Sequence, residues 1–216
     1  MKKCWLFLAP LCAMVLMAGC STERDAEKAY TYLEKSASQE KGFNEQQKPI
    51  VEEEEREQML YDKIMTLNMS QTEEVNTYAQ EALEHIDARE KRMEKEKQSI
   101  DQAYETFTKA VKYLNRVKNK KALPHAKKMI ANMKARHDAF GDLYAAYKQS
   151  IALDRELFKM LMDKNLTKDA LQKQLTKVNQ TYHTIENHKD RFNVLTDAFN
   201  KEKNSFYEIL HLKKED

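Results

Sequence analysis

Apolar residues return at alternating steps of four and three along three long stretches of this chain, and that period admits little besides packed helices. From Leu171 the steps meet Leu175, Val178, Tyr182, Ile185, Lys189, Phe192, Thr196, Phe199, Lys203, Phe206 and Leu210, and nine of the twelve positions are apolar. A second stretch runs from Ala126 through Ile130, Met133, His137, Phe140, Tyr144, Tyr147, Ile151, Asp154 and Phe158 to Leu161. A third runs Val75, Ala79, Ala82, Ile86, Arg89, Met93, Glu96, Ile100, Ala103, Phe107, Ala110, Leu114, Val117. Leu195, Tyr207 and Ile209 widen the last stripe beyond two positions per heptad, which suits a bundle better than a two-stranded coil. Strand punctuation is missing: after Cys20 only Gly42, Gly141, Pro49 and Pro124 occur.

A weaker stripe precedes these three. Ala26, Tyr30, Leu33 and Ala37 begin it, it fades near Gly42, and Tyr61, Ile64 and Leu67 resume it beyond Pro49 and the acidic run Glu52 to Glu55. Proline lacks a backbone donor and crowds the preceding turn, so this reads as one helix with a kink or break near 42–49. Ser70-Gln71-Thr72-Glu73 has the spacing of a capping box, Ala122-Leu123-Pro124 separates the next two helices, and Thr167 is placed as an N-cap. The expected helices are 23–68, 71–120, 124–163 and 167–212. Connections this short make neighbours antiparallel. The fold expected is therefore all-α, an elongated up-and-down four-helix bundle forming one domain over 20–216. Helices of about 40–45 residues would be roughly 60–68 Å long.

The N-terminus carries a different signal. Lys2 and Lys3 precede an uncharged apolar run from Cys4 to Leu16, then Met17-Ala18-Gly19-Cys20, after which the chain turns polar. This is the order of a secretory signal, and the run falls short of the 20 or so apolar residues of a membrane span. The closing tetrapeptide resembles a bacterial lipobox, which implies removal of residues 1–19 and a diacylglycerol and N-acyl lipid on Cys20. Losing Lys2 and Lys3 leaves 35 basic and 35 acidic residues. A neutral chain with interleaved signs makes no case for nucleic acid and none for polybasic membrane binding, so lipid is expected to supply the attachment. Cys4 and Cys12 leave with the signal, so no thiol is left for catalysis or a disulfide.

Other chemistry is sparse. There is no Gly-x-Ser-x-Gly turn and no glycine-rich phosphate cradle. Di-iron bundles use two Glu-x-x-His pairs; here only Glu208 and His211 have that spacing, while His183 and His188 are five apart. No catalytic residue, metal site or dissociable cofactor is expected. His137, Asp154, Arg89 and Glu96 interrupt the seams and are expected as paired residues that fix helix register rather than as a polar groove. Tyr144, Tyr147 and Tyr182 lie on seams, with hydroxyls needing partners. Tyr32, Tyr78 and Tyr113 fall off them and are the candidates for contact with a partner. Phe192-Asn193 and Phe199-Asn200 repeat one heptad apart, with phenylalanines inward and asparagines able to bond a neighbouring helix.

Several stretches resemble the YkyA-type cell-wall-binding lipoproteins of Gram-positive bacteria. They are Leu33 to Pro49 with its Glu-Lys-Gly-Phe-Asn-Glu-Gln-Gln-Lys-Pro run, Glu81 to Lys97, Arg136 to Leu161 with Tyr144-x-x-Tyr147, and Val178 to Tyr207 with Arg191-Phe192-Asn193. The resemblance implies a lipid-anchored, all-helical protein on the extracytoplasmic face of the cell membrane, and carries no catalytic residue with it. The function expected is a non-enzymatic binding or scaffold protein at the membrane–wall interface. Its partners would be the membrane through the lipid, and a wall polymer or another exported protein. The alternative is a small-molecule or metal carrier using a pocket between helices.

Overall fold

The computed structural model describes residues 18–68 and 70–212, with side chains from Arg24 onward. The apolar signal run lies outside the described residues, as does the side chain of Cys20. Five helices follow in order: α1 (Ala18–Gln39), α2 (Lys41–Thr66), α3 (Thr72–Leu114), α4 (Ala122–Leu161) and α5 (Lys168–Leu210). The first two run end to end along α3, so the bundle has four columns, and α3, α4 and α5 alternate in direction.

The seams become the core. At one end Ala29 and Leu33 of α1 meet Phe107, Ala110 and Leu114 of α3, Ala122 to Met133 of α4, and Phe199 and Phe206 of α5. In the middle Ile100, Phe140, Leu143, Ile185 and Phe192 pack together, with the Phe43 ring 5.7 Å from those of both Phe140 and Phe192. At the far end Ile50, Leu60 and Ile64 of α2 meet Ala79, Ala82 and Ile86 of α3 and Phe158 of α4. Phe192 and Phe199 are buried as their spacing predicts, but Asn193 and Asn200 are exposed and bond no neighbouring helix among the described residues.

The break in the first column falls at Glu40, ahead of the predicted 42–49, and its cause is not proline. An unbroken helix would join the Phe43 N–H to the Gln39 carbonyl. Instead Ser99 of α3 stands between them: its Oγ accepts from the Phe43 N–H at 2.9 Å and donates to the Gln39 carbonyl at 2.7 Å. A side chain inserted into the hydrogen-bond ladder is a recognised origin of helix breaks. Gly42 makes room, since a Cβ there would meet Ser99 Oγ at 3.2 Å. Pro49 rides inside α2 without ending it.

Caps also depart in part from expectation. Thr167 caps α5, its Oγ1 accepting from the Ala170 N–H at 3.2 Å. The capping box at Ser70 does not form, because the Ser70 hydroxyl turns back to Asn68 and Gln71 takes the N-cap position without a side-chain bond. Pro124 sits in the first turn of α4 rather than between helices, where its missing N–H costs nothing. The α3–α4 connection is instead 115–121, ordered by Asn119, whose Oδ1 accepts from the Lys121 and Ala122 N–H groups at 2.9 and 3.1 Å.

Candidate functional site

Arg89 sits on the α3 seam with no exposed surface at all. A guanidinium so placed must find partners, and helices on three sides supply them. Its Nη1 donates to Glu54 Oε1 at 3.1 Å and to the Tyr182 hydroxyl at 2.9 Å. Its Nη2 lies 2.9 Å from Glu57 Oε2 and donates to Asp154 Oδ2 at 2.6 Å. Tyr182 in turn donates to Asp154 at 3.0 Å. One side chain thus ties α2, α3, α4 and α5 together.

The charges do not balance, three carboxylates facing one guanidinium. Burial resolves the excess: it pushes the Glu57 carboxyl up to about 8 against the pull of Arg89, with Asp154, Glu54 and Glu53 adding to the rise. Burial likewise raises Glu54, although Arg89 opposes it. Burial thus favours the protonated form of Glu57. Its Oε1 and the Arg89 Nε are buried with no hydrogen-bond partner among the described residues.

The cluster floors a groove. Where α2 faces α5, the two columns approach each other only sparsely, leaving a lateral cleft of about 540 Å³. Glu54, Glu57, Asp154 and Tyr182 form its base, Tyr61, Phe158 and Leu175 its apolar wall, and Gln58, Gln172 and Asn179 its polar rim. Apolar walls with a few convergent polar groups are the usual makeup of a small-ligand site. The carboxylates are held by Arg89 and Tyr182, so the arrangement can recognise and orient a ligand.

The residues singled out from the sequence distribute unevenly. Arg89 and Asp154 meet directly, so these seam polar residues do pair across helices, and Asp154 also borders the groove. Glu96 accepts a hydrogen bond from Gln47 of α2, and burial raises its carboxyl to about 8. His137 stacks on Tyr104 at 4.0 Å and meets Asp101 at 2.9 Å. Tyr32 and Tyr113 come together, their rings stacked 5.8 Å apart and 14° from parallel, with Lys28 and Lys112 Nζ 5.5 and 4.7 Å from the Tyr113 centroid. Tyr78 is not with them. Thirty-five residues of α3 separate it from Tyr113, about 52 Å along the axis, and it lies beneath Lys63. Among the described residues no group of three or more His, Cys, Asp or Glu is placed to hold a metal ion. No helix among them is long and apolar enough to cross a membrane.

Glu54 and Glu57 escaped sequence reasoning, which also set a polar groove second to register-fixing pairs. The available signal was register: Ile50, Glu57 and Ile64 are each a heptad apart, which puts Glu57 on the seam that the acidic run obscures.

Known proteins share this fold and sequence. A crystallised Staphylococcus aureus protein, described as a conserved protein of unknown function, superposes with a TM-score of 0.78 over 90% of this chain and 97% of its own, at 18% identity. At that identity the likeness concerns the fold. The Bacillus subtilis (strain 168) protein described as "Uncharacterized lipoprotein YkyA" is 32% identical over 202 residues, 93% of this chain and 91% of the relative. The family model described as "Putative cell-wall binding lipoprotein" matches residues 24–209, a span that runs from the first described side chain almost to the end of α5. The chain belongs to the YkyA family of lipoproteins.

Proposed function

We propose that this protein is a lipid-anchored, non-enzymatic binding protein of the zone between membrane and cell wall. In this reading Cys20 carries the diacylglycerol and N-acyl lipid on the extracytoplasmic face, and the groove between α2 and α5 takes a wall polymer or a segment of another exported protein. The observation that carries the reading is the groove: a lateral cleft whose base is a fixed array of charged and hydroxyl groups. Membership of a lipoprotein family supports attachment to a membrane through lipid, and the Tyr32–Tyr113 pair and Tyr78 are secondary contact points in this reading.

The test uses the full chain, purified in a non-ionic detergent and sedimented with purified wall sacculi. Asn179 is exposed at the rim, so Asn179→Trp fills the groove without touching the core. Wild type should be retained at least tenfold better than this variant. Equal retention would remove the groove from the reading, and retention no better than that of an unrelated neutral bundle would remove the wall polymer.

The anchor has its own test. Cys20→Ala should leave an unprocessed precursor that takes up no labelled fatty acid, as seen by gel mobility and labelling in cells. Normal processing at the same bond would defeat the lipobox reading. A second reading, a small-molecule carrier, is favoured by the groove volume, which lies within the roughly 300–1,000 Å³ of ordinary ligand sites. Native mass spectrometry of protein isolated from its host would show the retained molecule, and an unliganded mass in repeated preparations would count against it.

A further inference from the structure

The chain is neutral after Cys20, but its charge is not evenly laid. Between Glu105 and Asp138 there are ten lysines and arginines and no acid. The middle of that stretch is the α3–α4 connection, and the fold gives it a defined shape. Val117 turns inward and is buried in the end cluster of the core. Asn119 folds over the start of α4. Arg116, Lys118, Lys120 and Lys121 are left exposed, and none forms an ion pair among the described residues. Lys112 and Lys127 are exposed beside them. Among the described residues, the acids on the helix ends around the connection are Asp25 and Glu27 of α1, Glu202 beside His125 and Lys128, and Glu208 of α5.

This basic tip lies at the same end as Cys20. Ala29 and Leu33 of α1 share a core cluster with Leu114, Val117 and Ala122, and Lys28 lies over Tyr113. Cys20 is eight residues further toward the tip, about 12 Å along α1. A lipid on Cys20 would bring the 115–121 connection against the headgroups. We infer that the exposed basic residues of the α3–α4 connection form a second membrane contact, docking on the phosphates of anionic lipids and setting the bundle upright on its anchor. The inference rests on the reading of Cys20 as the lipidated residue. It also replaces the expectation of no basic support for membrane binding: the average over the chain is zero, while the end that meets the membrane is positive. Each Lys or Arg near an anionic surface contributes roughly fivefold in partitioning, so four such residues amount to a strong second signal beside the acyl chains.

The experiment reconstitutes the full lipidated protein into phosphatidylcholine vesicles with or without about 30% phosphatidylglycerol, and follows amide hydrogen exchange across residues 115–121. With the anionic lipid at about 0.1 M salt these amides should exchange at least fivefold more slowly. The protection should vanish at about 1 M salt, where the Debye length is near 3 Å. It should vanish equally in the variant Arg116→Glu, Lys118→Glu, Lys120→Glu, which keeps Val117 and Asn119 and so keeps the turn. Flotation with both vesicles but identical exchange would overturn the tip contact and leave the anchor standing. Failure to float would overturn the anchor and the inference with it. Equal protection on neutral vesicles by soluble poly(glycerol phosphate) would assign the tip to an anionic polymer and overturn the lipid.

Discussion

Arg89→Met is expected to cost about 3–5 kcal/mol of stability at pH 8, the usual loss when one partner of a buried ionic cluster is removed. The reason is local. Asp154, Glu54 and Glu57 would then face one another and Tyr182 with no cation between them, and Asp154 and Glu57 have side chains only 7% exposed. The loss should shrink at pH 5, because protonated carboxyls can hydrogen-bond among themselves and with the tyrosine. Urea unfolding at the two pH values measures both. A loss below about 1 kcal/mol at pH 8, or the same loss at pH 5, would show that Arg89 is not what holds the helices together there. Replacing Arg89, Glu57 and Asp154 together by apolar residues should recover much of the stability, since a packed apolar cluster often equals or exceeds a buried ionic one.

Glu96→Gln is expected to stabilise the protein at alkaline pH by about 3 kcal/mol, or roughly 6–12 °C in Tm for a chain of this size. Glu96 is 3% exposed, and its carboxyl lies near 8 when folded against an ordinary value of 4.5, chiefly through burial. A group raised in the folded state holds its proton more tightly there. Its contribution is complete below about pH 4.5 and is lost as pH rises toward 8. Glutamine is the permanent analogue of the protonated form and still accepts the amide of Gln47 through its own oxygen. The variant should thus match wild type near pH 4.5 and exceed it at pH 8.5. Wild type itself should lose Tm between those values, with Glu57 contributing in the same direction. A flat wild-type profile, or a variant that gains nothing at pH 8.5, would show that Glu96 is not buried as a neutral acid.

The columns of this bundle were legible in the sequence because a heptad seam is a local signal: Phe107, Phe140 and Phe206 are buried where the stepping puts them. Arg89 and Asp154 were visible as interruptions of that seam. Their meeting was not, since it joins residues 65 apart. The break at Glu40 shows the limit more sharply. Gly42 and Pro49 are familiar helix-breaking signs, yet the agent is Ser99, a residue of another helix with no unusual spacing of its own. Glu57 was concealed by company, four neighbouring glutamates making a seam position resemble a solvated face. The basic tip was concealed by averaging. Net charge sums over the whole chain, whereas a surface acts at the scale of a Debye length, about 10 Å at 0.1 M salt.

The first column has no slack. Ala26, six residues after Cys20, is already 2% exposed and packed into the bundle. Many tethered proteins reach their targets through a flexible linker and sample a hemisphere around the anchor. Here the thirty-seven residues from Cys20 to Glu57 are helix but for the break at Glu40, so the groove stands about 55 Å along the column from Cys20. A rigid mast does not search in height. Anchored by a lipid on Cys20, it would select for whatever lies at one altitude above the bilayer and raise the local concentration of that layer alone. Inserting ten flexible residues between Cys20 and Ala26 would leave every contact in the bundle intact and still change what the groove can meet.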